Sequence, residues 1–402
     1  MSTELAWTLI CTALVLFMTP GLAFFYGGLV KAKSVVSMMM LSFGAMGVVW
    51  VLWILVGAGG VGAISDGGIT KFFGDPFQDV GLLDATKATD GSLATAAFGG
   101  TFAVITIALI SGAIADRARF WPWMIFAGLF AVFAYFPVQA WVFNPDNGWI
   151  YNFGETGTLD WAGGTAVHQN AGAAALALAL VLGRRKVGFT KEEAVPHNVP
   201  LVLIGAAILW FGWFGFNAGV FGADEGQTSL IILNTIAAPA AAMIGFIVVE
   251  QFRDGKSTAV GAASGIVAGL VAITPACAHI TPVWAMVLGL VAGAVCAFAI
   301  DLKYKLGFDD SLDVVGLHLV AGFIGCIWLG IFAFDPETGL AYGGGPEQLV
   351  AQLVSSVAVI AYSFVVAFVI GMLIEKTIGF RVKEEDEVAG VDLQHGEAYA
   401  FD

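Results

Sequence analysis

The chain has 402 residues, 58% of them hydrophobic and 12% charged, where an ordinary soluble protein carries about 25% charged residues. So much apolar surface cannot be housed in one water-soluble core, and the implied solvent is a lipid bilayer. A net charge of −14 argues against nucleic acid as a partner.

The chain starts MSTELAW and its first lysine is Lys31, so the opening apolar run reads as a true span and not as a cleaved signal peptide. A crossing needs roughly 20 apolar residues. Eleven such runs follow in order: 5–30, 34–60, 92–115, 120–143, 161–183, 199–222, 228–250, 258–275, 280–300, 312–334 and 348–375. Pro275 and Pro282 crowd the junction of the eighth and ninth. Gly261, Gly265 and Gly269, then Gly289 and Gly293, repeat every fourth residue, a spacing that lets helix backbones approach in lipid. Cys11, Cys277, Cys296 and Cys326 lie in or beside apolar runs without CxxC spacing, which disfavours disulfides and a zinc site.

Basic residues cluster after the odd-numbered spans. Fifteen of the 17 Lys and Arg fall there, and only Lys71 and Lys87 lie opposite. By the positive-inside rule the N-terminus is outside and the C-terminus inside, which an odd number of spans requires. The opposite face is acidic, from Asp66 through Asp79 and Asp146 to Glu347. Such a face raises the local concentration of a cation, or simply keeps the loops soluble.

Asp160 precedes His168 by eight residues at the start of the fifth span, and Asp310 precedes His318 by eight at the start of the tenth. An offset of five spans inverts the second copy in the membrane, so the fold class is an all-α polytopic membrane protein with inverted five-helix halves and a long eleventh helix. The halves cover 5–183 and 199–334, and the last helix 348–375. Each histidine lies roughly 12 Å along its helix, from opposite faces, so both approach mid-depth. A polar group there is functional by default; the alternative is a pair satisfying each other. Two histidines alone leave a divalent metal short of ligands. Neutral imidazoles offer a donor and an acceptor, which suits a small molecule able to do both, or a hopping proton. Asp160 can cap its helix, favour a nearby cation, or do both.

Aromatic residues gather at Phe98 and Phe102 on the third span, at Trp210 to Phe216 on the sixth, and at Phe143 and Trp149 after the fourth. Periodicity alone does not choose among them, although aromatic faces attract cations.

The motifs Phe25-Tyr26-Gly27-Gly28-Leu29-Val30, Asp160-Trp161-Ala162-Gly163-Gly164-Thr165-Ala166-Val167-His168, Gly212-Trp213-Phe214-Gly215-Phe216-Asn217-Ala218-Gly219, Thr274-Pro275-Ala276-Cys277 and Asp309-Asp310-x-x-Asp313-Val314-x-x-x-His318 stand in this order. Together they resemble the ammonium transporter (Amt/Mep/Rh) family, bacterial Amt type, over almost the whole chain. The resemblance implies a homotrimer in the cytoplasmic membrane, each subunit with its own pore. It implies ammonium, with methylammonium as an analogue, as the substrate and no cofactor. His168 and His318 match the twin pore histidines, Asp160 the essential acid, and Phe102 and Phe216 the phenylalanine gate, with Phe98 one turn away and Trp213 in the same motif.

Two positions depart from the pattern. A serine that helps bind ammonium is replaced by Val220, and a vestibule tryptophan aligns with Phe143 unless Trp149 folds back to serve. Residues 1–375 form the transporter domain, and the acidic tail 376–402 resembles the family's regulatory tail, which implies docking of a PII-type signal protein. The expected mechanism recognises ammonium outside, strips its proton and passes ammonia between the histidines, with a proton relay left open. A sensor signalling through its tail is the rival. An intramembrane enzyme is disfavoured, since no HExxH or GxSxG motif is present.

Overall fold

The computed structural model describes residues 2–64, 72–88, 90–220 and 222–396. Asp66 and Lys71 of the charge count, and Glu397 to Tyr399 of the tail motif, lie outside the described residues. Among the described residues, ten helices are long and apolar enough to cross a membrane. They are α1 (Thr3–Leu29), α2 (Ala32–Val61), α3 (Ser92–Ile114), α4 (Phe120–Phe143), α5 (Gly164–Leu182), α6 (Val199–Ala218), α7 (Glu225–Asp254), α9 (Pro282–Leu306), α10 (Val315–Phe332) and α11 (Glu347–Thr377). Between α7 and α9 lies the shorter apolar helix α8 (Ala259–Ile273), on the eighth predicted run. It is the one shortened by the proline-rich turn around Pro275. A short α12 (Glu384–Ala389) and a 3-10 turn (Val391–His395) follow. The fold is all-helical, and the chain is a multi-pass membrane protein.

Polar residues start the helices where the sequence changes character. Ser2 accepts the Leu5 N–H, Asp224 that of Gln227 and Thr258 that of Gly261, each satisfying a donor that the first turn leaves orphaned. Inside the bundle, glycine sets the spacing. A Cβ on Gly289 or Gly293 of α9 would strike the Ala238 or Ala242 carbonyl of α7, and one on Gly269 of α8 would sit 2.5 Å from the Pro239 Cα. The fourfold glycine rhythm therefore presses α8 and α9 onto α7. Glycines of α6 do the same against α1, where Gly215 leaves only 2.7 Å to the Leu14 side chain. The first helix of one half thus packs on the first helix of the other.

Two helices start later than their apolar runs suggest. α5 starts at Gly164 and α10 at Val315, not at 161 and 312. Both open with a wide π-helical turn: the Asn170 N–H reaches back to the Thr165 carbonyl and the Val320 N–H to that of Val315. The histidines sit in these turns, close to the helix starts. Their approach to one another therefore comes from unwound entry segments as well as from helix length.

Candidate functional site

Asp160 organises the entry to α5. One carboxylate oxygen accepts the Gly163 and Gly164 N–H groups at 3.0 and 2.5 Å; the other accepts the Thr165 N–H at 2.8 Å, the Ala166 N–H at 3.3 Å and the Thr165 hydroxyl. Negative charge at this end also complements the helix dipole. Gly163 has φ +107°, and a Cβ there would meet Val167, so the turn requires glycine. Asp310 repeats the device in the second half, accepting the Val314 and Val315 N–H groups at 3.1 and 2.7 Å. Each cap lies eight residues before its histidine. The Asp160 loop and α5 are tied to α11 by a 2.7 Å hydrogen bond between the Thr158 and Ser355 hydroxyls and by Gln169 Nε2 donating to Ser356 Oγ at 3.1 Å.

The two caps deliver His168 and His318 to one point. Their Nδ1 atoms lie 3.2 Å apart and their rings stack with centroids 5.4 Å apart at 24°. Both residues are buried, at 1% and 3% exposure. One ring must donate to the other, so the neutral pair holds a proton in the shared contact while His168 Nε2 has no protein partner. The Trp213 indole stacks on His168 at 5.5 Å and 16°, and is held by its N–H donating to Thr274 Oγ1 at 2.8 Å. The space beside the pair is a cavity of about 10 Å³ walled by Leu22, Ile105, Leu209, Trp213, Phe216 and Leu317. That is about the size needed for one water-sized molecule.

Phe102 and Phe216 lie face to face, with centroids 4.1 Å apart and planes within 8°. Phe216 also touches the His168 ring at 6.1 Å, so this stack closes one end of the histidine space. Phe98 leans on Phe102 at 4.9 Å, and Phe143 meets it edge-on at 6.4 Å. Beyond the stack opens a cavity of about 820 Å³, lined by Phe98, Phe102, Phe143, Asp160, Val220 and His279 among others. Trp149 is not part of its wall; it packs against Trp141 at 5.7 Å and Phe72 at 6.1 Å in a separate cluster. Of the two aromatics weighed for this place, Phe143 is the one at the cavity.

At the other end of α5 sits a buried ionic group that sequence reasoning missed. Arg185 donates to Asp309 at 2.9 and 3.0 Å and to Asp116 at 3.0 Å, while Arg117 donates to the Asp309 carbonyl and to Ser311 Oγ, both at 2.5 Å. Burial pulls Arg117 down to about 10. Burial alone would raise Asp309, but Arg117 and Arg185 outweigh it and hold the carboxyl below its usual range. The tail docks beside this group: Arg381 pairs with Glu387 at 2.7 Å and donates to the Leu182 carbonyl at 2.8 Å, and Asp392 accepts the Ser37 N–H at 2.7 Å. The signal available in the sequence was the row of charges at Asp116, Arg117, Arg185 and Asp309, each beside an apolar run.

The sequence model described as the Ammonium Transporter Family matches residues 6–400. An ammonium transporter of Mycobacterium tuberculosis is 47% identical over 98% of this chain and 89% of its own length. One from Aquifex aeolicus is 44% identical over 98% and 92%. Among solved structures, one titled Sensor Amt Protein superposes with a TM-score of 0.89 at 26% identity, covering 98% of both chains. Mep2 of Saccharomyces cerevisiae superposes at 0.85 with 32% identity, covering 95% of this chain and 88% of that one.

Proposed function

This chain belongs to the ammonium transporter family, and we propose that it carries ammonium by gathering the cation in the outer cavity, removing its proton there, and passing ammonia beneath the Phe102–Phe216 stack along the His168–His318 pair. On this reading the N-terminus and the outer cavity face outside and the docked tail faces the cytoplasm, as the basic residues after the odd-numbered spans require. The observation that carries the reading is the paired imidazoles, 3.2 Å apart in an apolar space of about 10 Å³ directly under two stacked rings.

The division of labour follows from solvation. Aromatic faces of Phe98, Phe102, Phe143 and Trp161 line the outer cavity and attract a cation by about 0.5–2 kcal/mol each. Below the stack a cation would cost at least about 2.5–3.5 kcal/mol, and apart from the two neutral imidazoles, Trp213 and Tyr26 the walls there are apolar. Neutral ammonia avoids that cost, and it both donates to and accepts from imidazole nitrogens. A potassium ion, similar to ammonium in size and charge, has no proton to leave behind, so it gains entry to the cavity without gaining passage. The histidine contact, with its single shared proton, offers a path by which the released proton follows.

The exposed apolar surface of the spans meets lipid, and we take the assembly to be a homotrimer with a PII-type signal protein acting at the tail. The sensor alternative has one specific support, the close superposition on the structure titled Sensor Amt Protein. Purified protein in vesicles on a solid-supported membrane separates the two: an ammonium pulse gives a charge displacement for a transporter and none for a pure sensor. Replacing both histidines by leucine should abolish or re-order the current. Unaltered ammonium current in that double variant would sink the histidine route.

A further inference from the structure

His279 lies between α8 and α9 and lines the outer cavity. Its Nδ1 is 2.6 Å from the backbone carbonyl of Asp335. A carbonyl only accepts, so Nδ1 carries the hydrogen and Nε2 is left as an acceptor with its lone pair uncommitted. Burial lowers the ring's pKa, with Asp335 pulling the other way, so the neutral form is the one present near pH 7.

The neighbours fix where that ring stands. Its edge meets the Trp161 indole at 5.8 Å and 77°. Trp161 in turn donates its indole N–H to the Asn217 carbonyl at 2.8 Å, three residues before Val220, and its backbone N–H to the Pro275 carbonyl at 3.1 Å. His279, Trp161 and the end of α6 therefore form one continuous wall beside Asp160. Both carboxylates on the cavity wall are already engaged: Asp160 with the α5 entry, Asp79 with the Asp84 and Ala85 N–H groups. Val220 brings only methyl groups. An ammonium ion entering here has aromatic faces to lie on and needs a lone pair to accept its N–H.

We infer that His279 Nε2 is the hydrogen-bond acceptor that orients ammonium in this outer cavity, standing in for the hydroxyl that Val220 lacks. The assignment rests on the reading of the cavity as the ammonium entrance. It makes His279 a binding residue whose loss weakens capture and spares the passage below the phenylalanine stack.

Initial uptake in vesicles, measured against ammonium concentration, reads this directly. His279→Leu should raise the apparent KM by roughly tenfold, the size of a hydrogen bond to a charged group, with the maximal rate retained. His279→Gln keeps a donor for the Asp335 carbonyl and an acceptor for the ion, and should restore most of the affinity. Adding Val220→Ser to His279→Leu should also recover it. A thermal-shift titration of the purified chain with ammonium chloride against sodium chloride reads the same contact without flux. If no form transports yet the ammonium shift is present in the native chain and lost in His279→Leu, the transport reading fails and this one stands. An unchanged KM and an unchanged ammonium shift in His279→Leu overturn it. So does an equal defect in His279→Leu and His279→Gln, which would make the ring a loop anchor only.

Discussion

Gln352 of α11 grips both backbone groups of Leu159: its Oε1 accepts the Leu159 N–H at 2.9 Å, and its Nε2 donates to the Leu159 carbonyl at 2.7 Å. The same Nε2 reaches the Cys326 carbonyl at 3.0 Å. One fully buried amide thus ties the residue before Asp160 to both α10 and α11. Gln352→Leu keeps the bulk and removes the grip. It should cost about 1–3 kcal/mol, the penalty for stranding buried backbone groups, and it should slow ammonium uptake because the Asp160 turn loses its anchor. Melting temperature and uptake rate measured on the same preparation test the pair, and a variant native in both would refute it.

Asp160→Asn removes the charge and turns one acceptor oxygen into a donor facing the Thr165 and Ala166 N–H groups. Each lost hydrogen bond to a charged group is worth about 1.5–3 kcal/mol. The expected outcome is a folded but destabilised protein with little uptake, since the turn that aims His168 loosens. Uptake by an Asn variant at the native rate would show that capping, and not charge, suffices.

Val220→Ser adds a hydroxyl to the outer cavity wall. Apparent affinity for ammonium should rise, by about tenfold or more for one added hydrogen bond to a cation, with the maximal rate unchanged. Concentration-dependent currents measure this, and an affinity left untouched counts against Val220 facing the bound ion.

Asp309 titrates below the ordinary carboxylate range because Arg117 and Arg185 hold its charge. A carboxyl depressed in the folded state stabilises above its unfolded pKa of about 3.9, and that stabilisation is lost as pH falls through the folded value. Asp309→Asn leaves two buried guanidinium groups short of a partner and should cost about 3–5 kcal/mol near pH 7. The gap between native and variant melting temperatures should hold constant above about pH 5 and close only below about pH 4. A gap that shrinks between pH 7 and 6 would mean that some other group is titrating.

Much of this was legible in the residues. Span order followed from apolar run length, and the glycine rhythm of α8 and α9 predicted close helix packing, although not that α7 would be the partner. The matched Asp-to-His spacing predicted the meeting of His168 and His318, because a repeat inverted by an odd number of spans brings equivalent positions to one depth. The wide turns were not legible, since a π-helical turn has no composition of its own and Thr165 to Gln169 reads as ordinary helix. Trp213 stacking on His168 was equally hidden, because Trp210 and Trp213 look alike as apolar residues until the bundle decides which one faces inward. Gln348, Gln352 and Ser355 could have been found, as polar side chains in an apolar run seldom lack a purpose.

The π-helical turns that carry His168 and His318 each spend one residue more than an α-turn would. Deleting that residue would rewind the turn and rotate the side chains on one side of it by about 100° relative to the other. His168 would then swing away from His318 while every wall residue of the passage stayed in the chain. The count of residues between each cap and its imidazole therefore decides whether the two rings meet, and a one-codon loss there would part them with both still present.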